Sequence, residues 1–139
     1  MLWDGLFRPG RMTMHRSQLA GFIIDCQTED LEAAATFWSK ALGLPRRSSK
    51  SEEDAGYALL ETKPNGLHIE VQKVDHPSRV HLDIEADDVE AEVRRLEALG
   101  AKRVKQIRTW WVMEAPTGQR FCVDRPQRAN FAAEANRWE

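Results

Sequence analysis

The chain has 139 residues but only two cysteines, one tyrosine and no large surplus of charge of either sign. Cys26 and Cys122 lie far apart, without the spacing of a metal knuckle or a redox pair. Reduced thiols in a cytoplasmic protein are therefore the expectation. A formal net charge of −2 argues against nucleic acid or an anionic membrane as partner, since both call for a clustered basic excess. Arg46-Arg47 and Arg94-Arg95 are isolated pairs that read as solvated faces. No apolar run approaches the ~20 residues that span a bilayer. The first residues do not run from a charged stretch into an apolar core, which speaks against a secretory signal. Nucleophile-triad spacing and a phosphate-cradling glycine loop are also missing.

What is present is a pattern used twice. Phe22-Ile23-Ile24 leads through Glu29-Asp30 into Leu31-Glu32-Ala33-Ala34-Ala35-Thr36-Phe37-Trp38 and stops at Gly43. Val80-His81-Leu82-Asp83-Ile84 leads through Asp87-Asp88 into Val89-Glu90-Ala91-Glu92-Val93-Arg94-Arg95-Leu96 and stops at Gly100. Each copy then closes with short strands joined at a glycine turn. Repetition at this scale signals one supersecondary unit built twice.

Residues 20–26 read as a buried strand. Thr28 is placed as the N-cap of the first helix, with Glu29 and Asp30 at the positive end of its dipole. Leu31, Ala34, Ala35, Trp38 and Leu42 form its apolar stripe, and Gly43 suits a left-handed cap before Pro45. Residues 46–55 read as a short strand and an exposed loop. Residues 57–62 and 67–74 form a hairpin about Pro64-Asn65-Gly66. In the second copy, Val80, Leu82 and Ile84 share one strand face; His81, Asp83 and Glu85 share the other. A helix over 87–99 buries Val89, Val93, Leu96 and Leu99. Strands at about 102–107, 109–115 and 119–124 follow, the last two turned at Pro116-Thr117-Gly118. Residues 127–138, with Phe131, Ala132, Ala135 and Trp138 at helical intervals, read as a C-terminal helix.

If each helix covers one sheet face, the other face carries His68, Glu70, Gln72, His81, Asp83 and Glu85. Acids and imidazoles fit a wet concave pocket better than a core. Trp111 and Met113, in phase on one strand, would add an apolar wall, and Cys122 would border the same cleft. Closely spaced carboxylates raise one another's pKa, so Glu70, Asp83 and Glu85 are candidates for a general base, and Glu70 and His81 for an acid–base pair. The competing reading pairs these acids with Arg79, Arg120 or Lys73. Cys122 as a nucleophile is weighed against a small apolar filler.

The repeated strand–helix–three-strand unit resembles the vicinal-oxygen-chelate superfamily of glyoxalase I, bleomycin-resistance proteins and extradiol dioxygenases, and most of all its glyoxalase-like domains. The likeness rests on Phe22-Ile23-Ile24-Asp25-Cys26, Ala35-Thr36-Phe37-Trp38 with Leu42-Gly43-Leu44, Val80-His81-Leu82-Asp83-Ile84 with Asp87-Asp88-Val89, Leu99-Gly100-Ala101, and Ala115-Pro116-Thr117-Gly118-Gln119-Arg120-Phe121-Cys122-Val123. It implies an α+β fold of two βαβββ modules forming a curved mixed sheet around a shared cleft, plus a C-terminal helix. The expected layout is an extension at 1–17, a single domain at 18–126 (modules 18–75 and 79–126), and the helix at 127–139.

The resemblance also implies a divalent-metal site with a histidine on the first strand and a glutamate on the last strand of each module. His81 and Glu70 match. The first strand offers only Gly21, Phe22 or Ile23 near the expected position, and Cys122 stands where the second glutamate is expected. Thiolate is a poor companion for hard ions, so the set His81 and Glu70 is partial, with His68 as a stand-in ligand. The resulting expectation is a protein that binds a small organic molecule without a resident cofactor. Its alternatives are a metal-dependent lyase, isomerase or dioxygenase and a partner-binding module without catalysis. A homodimer fits an apolar face built from Phe131 and Trp138.

Overall fold

The computed structural model describes residues 14–47 and 56–139. The fold is α+β, and its element order repeats. Strand β1 (His15–Gln27) is followed by helix α1 (Leu31–Leu42), then β2 (Arg46–Arg47), β3 (Tyr57–Leu60) and β4 (His68–Val74). Strand β5 (Arg79–Ala86) is followed by α2 (Val89–Ala98), then β6 (Lys102–Ile107), β7 (Trp110–Glu114) and β8 (Arg120–Asp124). A single-turn helix α3 (Phe131–Glu134) and strand β9 (Asn136–Trp138) end the chain. The described residues divide into two compact units. One is Ala20–Asp83; the other is Ile84–Glu139 with residues 14–19.

In the Ala20–Asp83 unit the strands follow the order β2-β3-β4-β1, with the first residues of β5 beside β1. The β3–β4 pair is antiparallel about the expected Asn-Gly turn, and β1 runs parallel to β4 with Gly21 opposite His68 and Asp25 opposite Gln72. The backbones approach so closely there that a Cβ on Gly21 would lie 1.8 Å from the His68 carbonyl oxygen. Helix α1 is capped by Asp30, whose carboxylate accepts from the Ala33 N–H at 3.0 Å, while Thr28 Oγ1 accepts from the Asp30 N–H. The cap is thus Asp30 rather than Thr28, because Asp30 stands immediately before the first helical residue, Leu31, where its carboxylate reaches the Ala33 N–H. Gly43 takes the left-handed conformation, with φ of 70°. The core packs Ala35, Ala58, Leu60 and Val71 with Cys26, Leu31, Ala34, Trp38, Leu44 and Ile69. Leu42, expected on the stripe, is exposed at the helix end.

In the second unit, β7 pairs antiparallel with both β6 and β8. Asp88 caps α2. The core packs Ala86, Val93, Leu96, Met113 and Val123 with Ile84, Val89, Ala101, Trp111 and Phe121. Leu99 falls at the C-cap and is exposed, not buried as its spacing suggests. Val80 and Leu82 are also exposed, at 59% and 53%, although Ile84 in the same phase is packed.

The C-terminus departs most from its sequence pattern. The helix lasts four residues; Ala135 turns extended, and β9 pairs antiparallel with His15–Ser17. Trp138 Nε1 donates to Ser17 Oγ at 2.8 Å, and the Arg95 guanidinium lies 3.9 Å from the Trp138 ring. Arg16 donates to the carbonyls of Ala132 and Ala135. These tertiary bonds outcompete one or two further helical turns, whose own stability is small. Residues 15–17, expected in a loose extension, are therefore strand, and residues 1–13 lie outside those described. Phe131 is buried and Trp138 is half-buried beneath Arg95, so the two do not share one exposed helix face. The loop expected at 48–55 also lies outside the described residues.

Candidate functional site

Within the Ala20–Asp83 unit, the polar phases of β1, β4 and β5 place Asp25, His68, Glu70, Gln72, His81 and Asp83. His81 is the centre. Its Nδ1 lies 2.6 Å from Asp25 Oδ2, and its Nε2 lies 3.4 Å from Asp83 Oδ1. A carboxylate accepts, so the shorter bond puts a ring proton on Nδ1 and turns Nε2 toward Asp83. Asp25 is 2% exposed. Arg79 Nε is 3.9 Å from its Oδ2, beyond hydrogen-bond length. Asp25 Oδ1 and Asp83 Oδ1 make no hydrogen bond among the described residues.

On β4, His68 Nε2 meets Glu70 Oε2 in a short hydrogen bond. Burial by itself lowers the His68 pKa. The Glu70 bond and charge, with the Asp83 charge, outweigh burial and the repulsion of Arg47, so the net shift is upward. Burial pushes the Asp83 carboxyl up. His81 and His68 pull it down, and the Glu70 charge adds to the rise. The charges of β4 and β5 therefore act on one another inside this unit. Gln72 Nε2 donates to the Tyr57 hydroxyl at 2.9 Å, on the neighbouring strand.

The expected residues divide as follows. His68, Glu70, Gln72, His81 and Asp83 belong to this one unit. Cys122 is half-buried on β8, opposite Val112, in the other unit. Met113 is fully buried, and Trp111 is partly buried beside it. They pack against Val93, Leu96 and Val123, on the face of β7 that α2 covers, with Arg103 stacked 4.9 Å from the Trp111 ring. Alternation had put them in phase but could not say which phase was covered. Glu85 is also withdrawn from the acid–base candidates: it is buried and accepts from the backbone N–H groups of Gln127 and Arg128 and from Gln18 Nε2. Where the competing expectation paired these acids with Arg120 or Lys73, Arg120 instead bonds Glu114 and Lys73 lies 3.8 Å from the exposed Glu29.

Asp25 was missed as a site residue. The available signal was an acid inside an otherwise apolar strand, Phe22-Ile23-Ile24-Asp25-Cys26, where an unpaired carboxylate would be costly.

His81 Nε2 and Asp83 Oδ1 suit a hard or borderline ion, and Asp25 orients the imidazole as a metal-bound histidine is usually oriented. Among the described residues of this unit, no third histidine, cysteine or carboxylate brings a donor within 4.8 Å of both. Gly21 cannot be replaced by a ligand without backbone movement.

A family model described as a glyoxalase-like domain matches residues 21–123. No curated protein matches the sequence significantly. Among solved structures, methylmalonyl-CoA epimerase from Mycobacterium tuberculosis is similar in fold, with a TM-score of 0.59, 19% identity, and coverage of 83% of this chain and 91% of that one. A methylmalonyl-CoA epimerase in complex with methylmalonyl-CoA and NH4+ gives a TM-score of 0.55 at 16% identity, covering 80% of this chain and 99% of that one. A hypothetical protein from Bacillus halodurans gives 0.59 at 13% identity, covering 81% and 96%. With its element order repeated and the family model spanning both copies, the chain belongs to the glyoxalase-like domain family of the vicinal-oxygen-chelate superfamily.

Proposed function

We propose that this protein binds a small organic molecule against the polar face of β1, β4 and β5, with His81 as the group that handles a proton of the bound molecule. The observation that carries this reading is the Asp25–His81–Asp83 series. A buried carboxylate on Nδ1 fixes the ring and leaves Nε2 to exchange a proton with a neighbour. Asp83, its carboxyl raised by burial, is suited to hold that proton, since an acid with an elevated pKa works nearer neutrality. The His68–Glu70 pair supplies a second, charge-compensated wall. Similarity in fold to methylmalonyl-CoA epimerases agrees with proton transfer on a small carbonyl compound.

The second reading is a metal-dependent lyase or isomerase, favoured by the orientation of His81 and by its Nε2 and Asp83 Oδ1 facing one another at 3.4 Å. His81 and Asp83 would hold the ion, which would supply Lewis-acid polarisation of a carbonyl. With two donors from this unit, the affinity would be low.

A small-molecule screen by thermal shift, with and without added divalent ions, tests both. Any tight binder raises the melting temperature. Binding that His81→Ala abolishes supports the site. Binding unaffected by His81→Ala overturns it. Stoichiometric metal that disappears in His81→Ala selects the second reading.

A further inference from the structure

Arg46 and Arg47 are neighbours in sequence but not in surroundings. On β2, Arg46 lies opposite Leu60 and Arg47 opposite Leu59. Paired residues project to the same side of a sheet, and successive residues to opposite sides. Leu59 lies opposite Glu70, and Glu70 opposite Ile23. Arg47, Leu59 and Glu70 therefore form one row on the polar face, in the phase of His68, Gln72 and Asp25. Arg46 falls on the other side, where its guanidinium donates to both oxygens of Glu32 on α1, at 2.6 and 3.2 Å. Arg47 is exposed and, among the described residues, makes neither a hydrogen bond nor an ion pair. Its charge nonetheless acts on His68. The acids of this face are engaged elsewhere: Glu70 with His68, Asp25 with His81 and 3.9 Å from Arg79, and Asp83 with His81. The β2 end of the face thus carries a positive charge for which the described residues supply no counter-ion.

Resting on the small-molecule reading above, we propose that Arg47 anchors an anionic group of the ligand, a carboxylate or a phosphate, at the end of the molecule remote from His81. A guanidinium is a planar fork of five N–H donors with no acceptor, matched to both groups. In the strand order β2-β3-β4-β1-β5, four strand spacings separate Arg47 from His81, about 19 Å between backbones before either side chain reaches inward. A compact ligand cannot touch both. Half-buried Leu59 lies next to Arg47 in the row, an apolar step suited to methylene groups. The ligand class is an elongated carbonyl compound with a terminal anion, its aliphatic stretch separating that anion from the carbon whose proton His81 handles.

The probes 7-oxooctanoate and nonane-2,8-dione share a methyl ketone and a methylene chain and differ only in ending on a carboxylate or an acetyl group. Each is titrated into the full chain with EDTA present and ionic strength held constant, while the His81 ring signals are followed by NMR. The keto acid is expected to shift them saturably and to bind at least about tenfold more tightly than the dione, the scale of a charge-assisted hydrogen bond. Arg47→Gln, on an exposed side chain, should keep the melting temperature and bring the two affinities together. Arg46→Gln, on the opposite face, should keep the preference. The affinity of 6-oxoheptyl phosphate relative to the keto acid, also lost in Arg47→Gln, tells a phosphate from a carboxylate. Equal binding of keto acid and dione by the native protein, or a preference that survives Arg47→Gln, overturns the anchor while leaving the His81 site standing. No saturable shift by any of the three probes also overturns it, and takes the site with it if the wider screen fails at His81.

Discussion

His81 and Asp25 are joined by a 2.6 Å hydrogen bond across 56 positions of sequence. The carboxylate is almost sealed from solvent, whereas the imidazole keeps an exposed edge. The pairing makes Asp25 a positioning residue: it acts on a ligand through His81. Asp25→Asn should keep the fold but weaken the preference of His81 for one tautomer. Binding of any ligand read at His81 should fall about tenfold or more, the cost of a charge-assisted bond. Calorimetric titration alongside a melting curve separates this from unfolding.

His68 titrates above its ordinary value because Glu70 and Asp83 overcome burial. Glu70→Gln removes the leading upward cause and leaves burial opposed by Asp83 alone, so the His68 pKa should fall from its native position. The sign for stability follows. A histidine raised in the folded state contributes stability that is fully present below the unfolded pKa and is lost as pH rises through the folded one. The native protein should lose that contribution on passing upward from about pH 6.5, and Glu70→Gln should lose less. NMR titration and denaturant melts across that range check both.

Met113 separates core from ligand wall. Fully buried among Val93, Leu96 and Val123, it should cost about 2–5 kcal/mol when cut to alanine. Met113→Leu, which conserves volume, should cost less than about 1.5 kcal/mol and leave ligand binding unchanged. Altered affinity in a folded Met113→Leu protein would return Met113 to the site.

Gly21→Ala should destabilise by about 1–3 kcal/mol or more, the range for overpacking, because its Cβ would meet the His68 carbonyl at 1.8 Å. Gly21→His, the substitution that would restore a first-strand ligand, should fail for the same reason. A stable Gly21→His protein that binds zinc stoichiometrically would contradict this account of β1 and β4.

Trp138 anchors β9 through Ser17 and Arg95. Trp138→Ala removes a hydrogen bond and a cation–π contact, together about 1–3 kcal/mol. Denaturant midpoints measure it, and hydrogen exchange in His15–Ser17 should rise in the variant.

Much of this was legible from residue order. The Asn-Gly hairpin, both helices, Gly43 and the strands of the second copy follow from turn chemistry and periodicity, which are local. His68, Glu70, His81 and Asp83 were legible as one polar phase for the same reason. What escaped depends on partners distant in sequence. Phe131 to Trp138 has helical spacing, yet Ser17 and Arg95 draw its end into a strand. Trp111 and Met113 have the right alternation, but α2 decides which phase is covered. Asp25 lies inside an apolar strand, and its role depends on His81, 56 positions away.

The most direct measurement is the tautomer of the neutral His81 ring, read from its 15N shifts. The account predicts a proton on Nδ1, held by Asp25, and loss of that preference in Asp25→Asn. A ring protonated on Nε2, or one averaging equally between tautomers in the native protein, would contradict it.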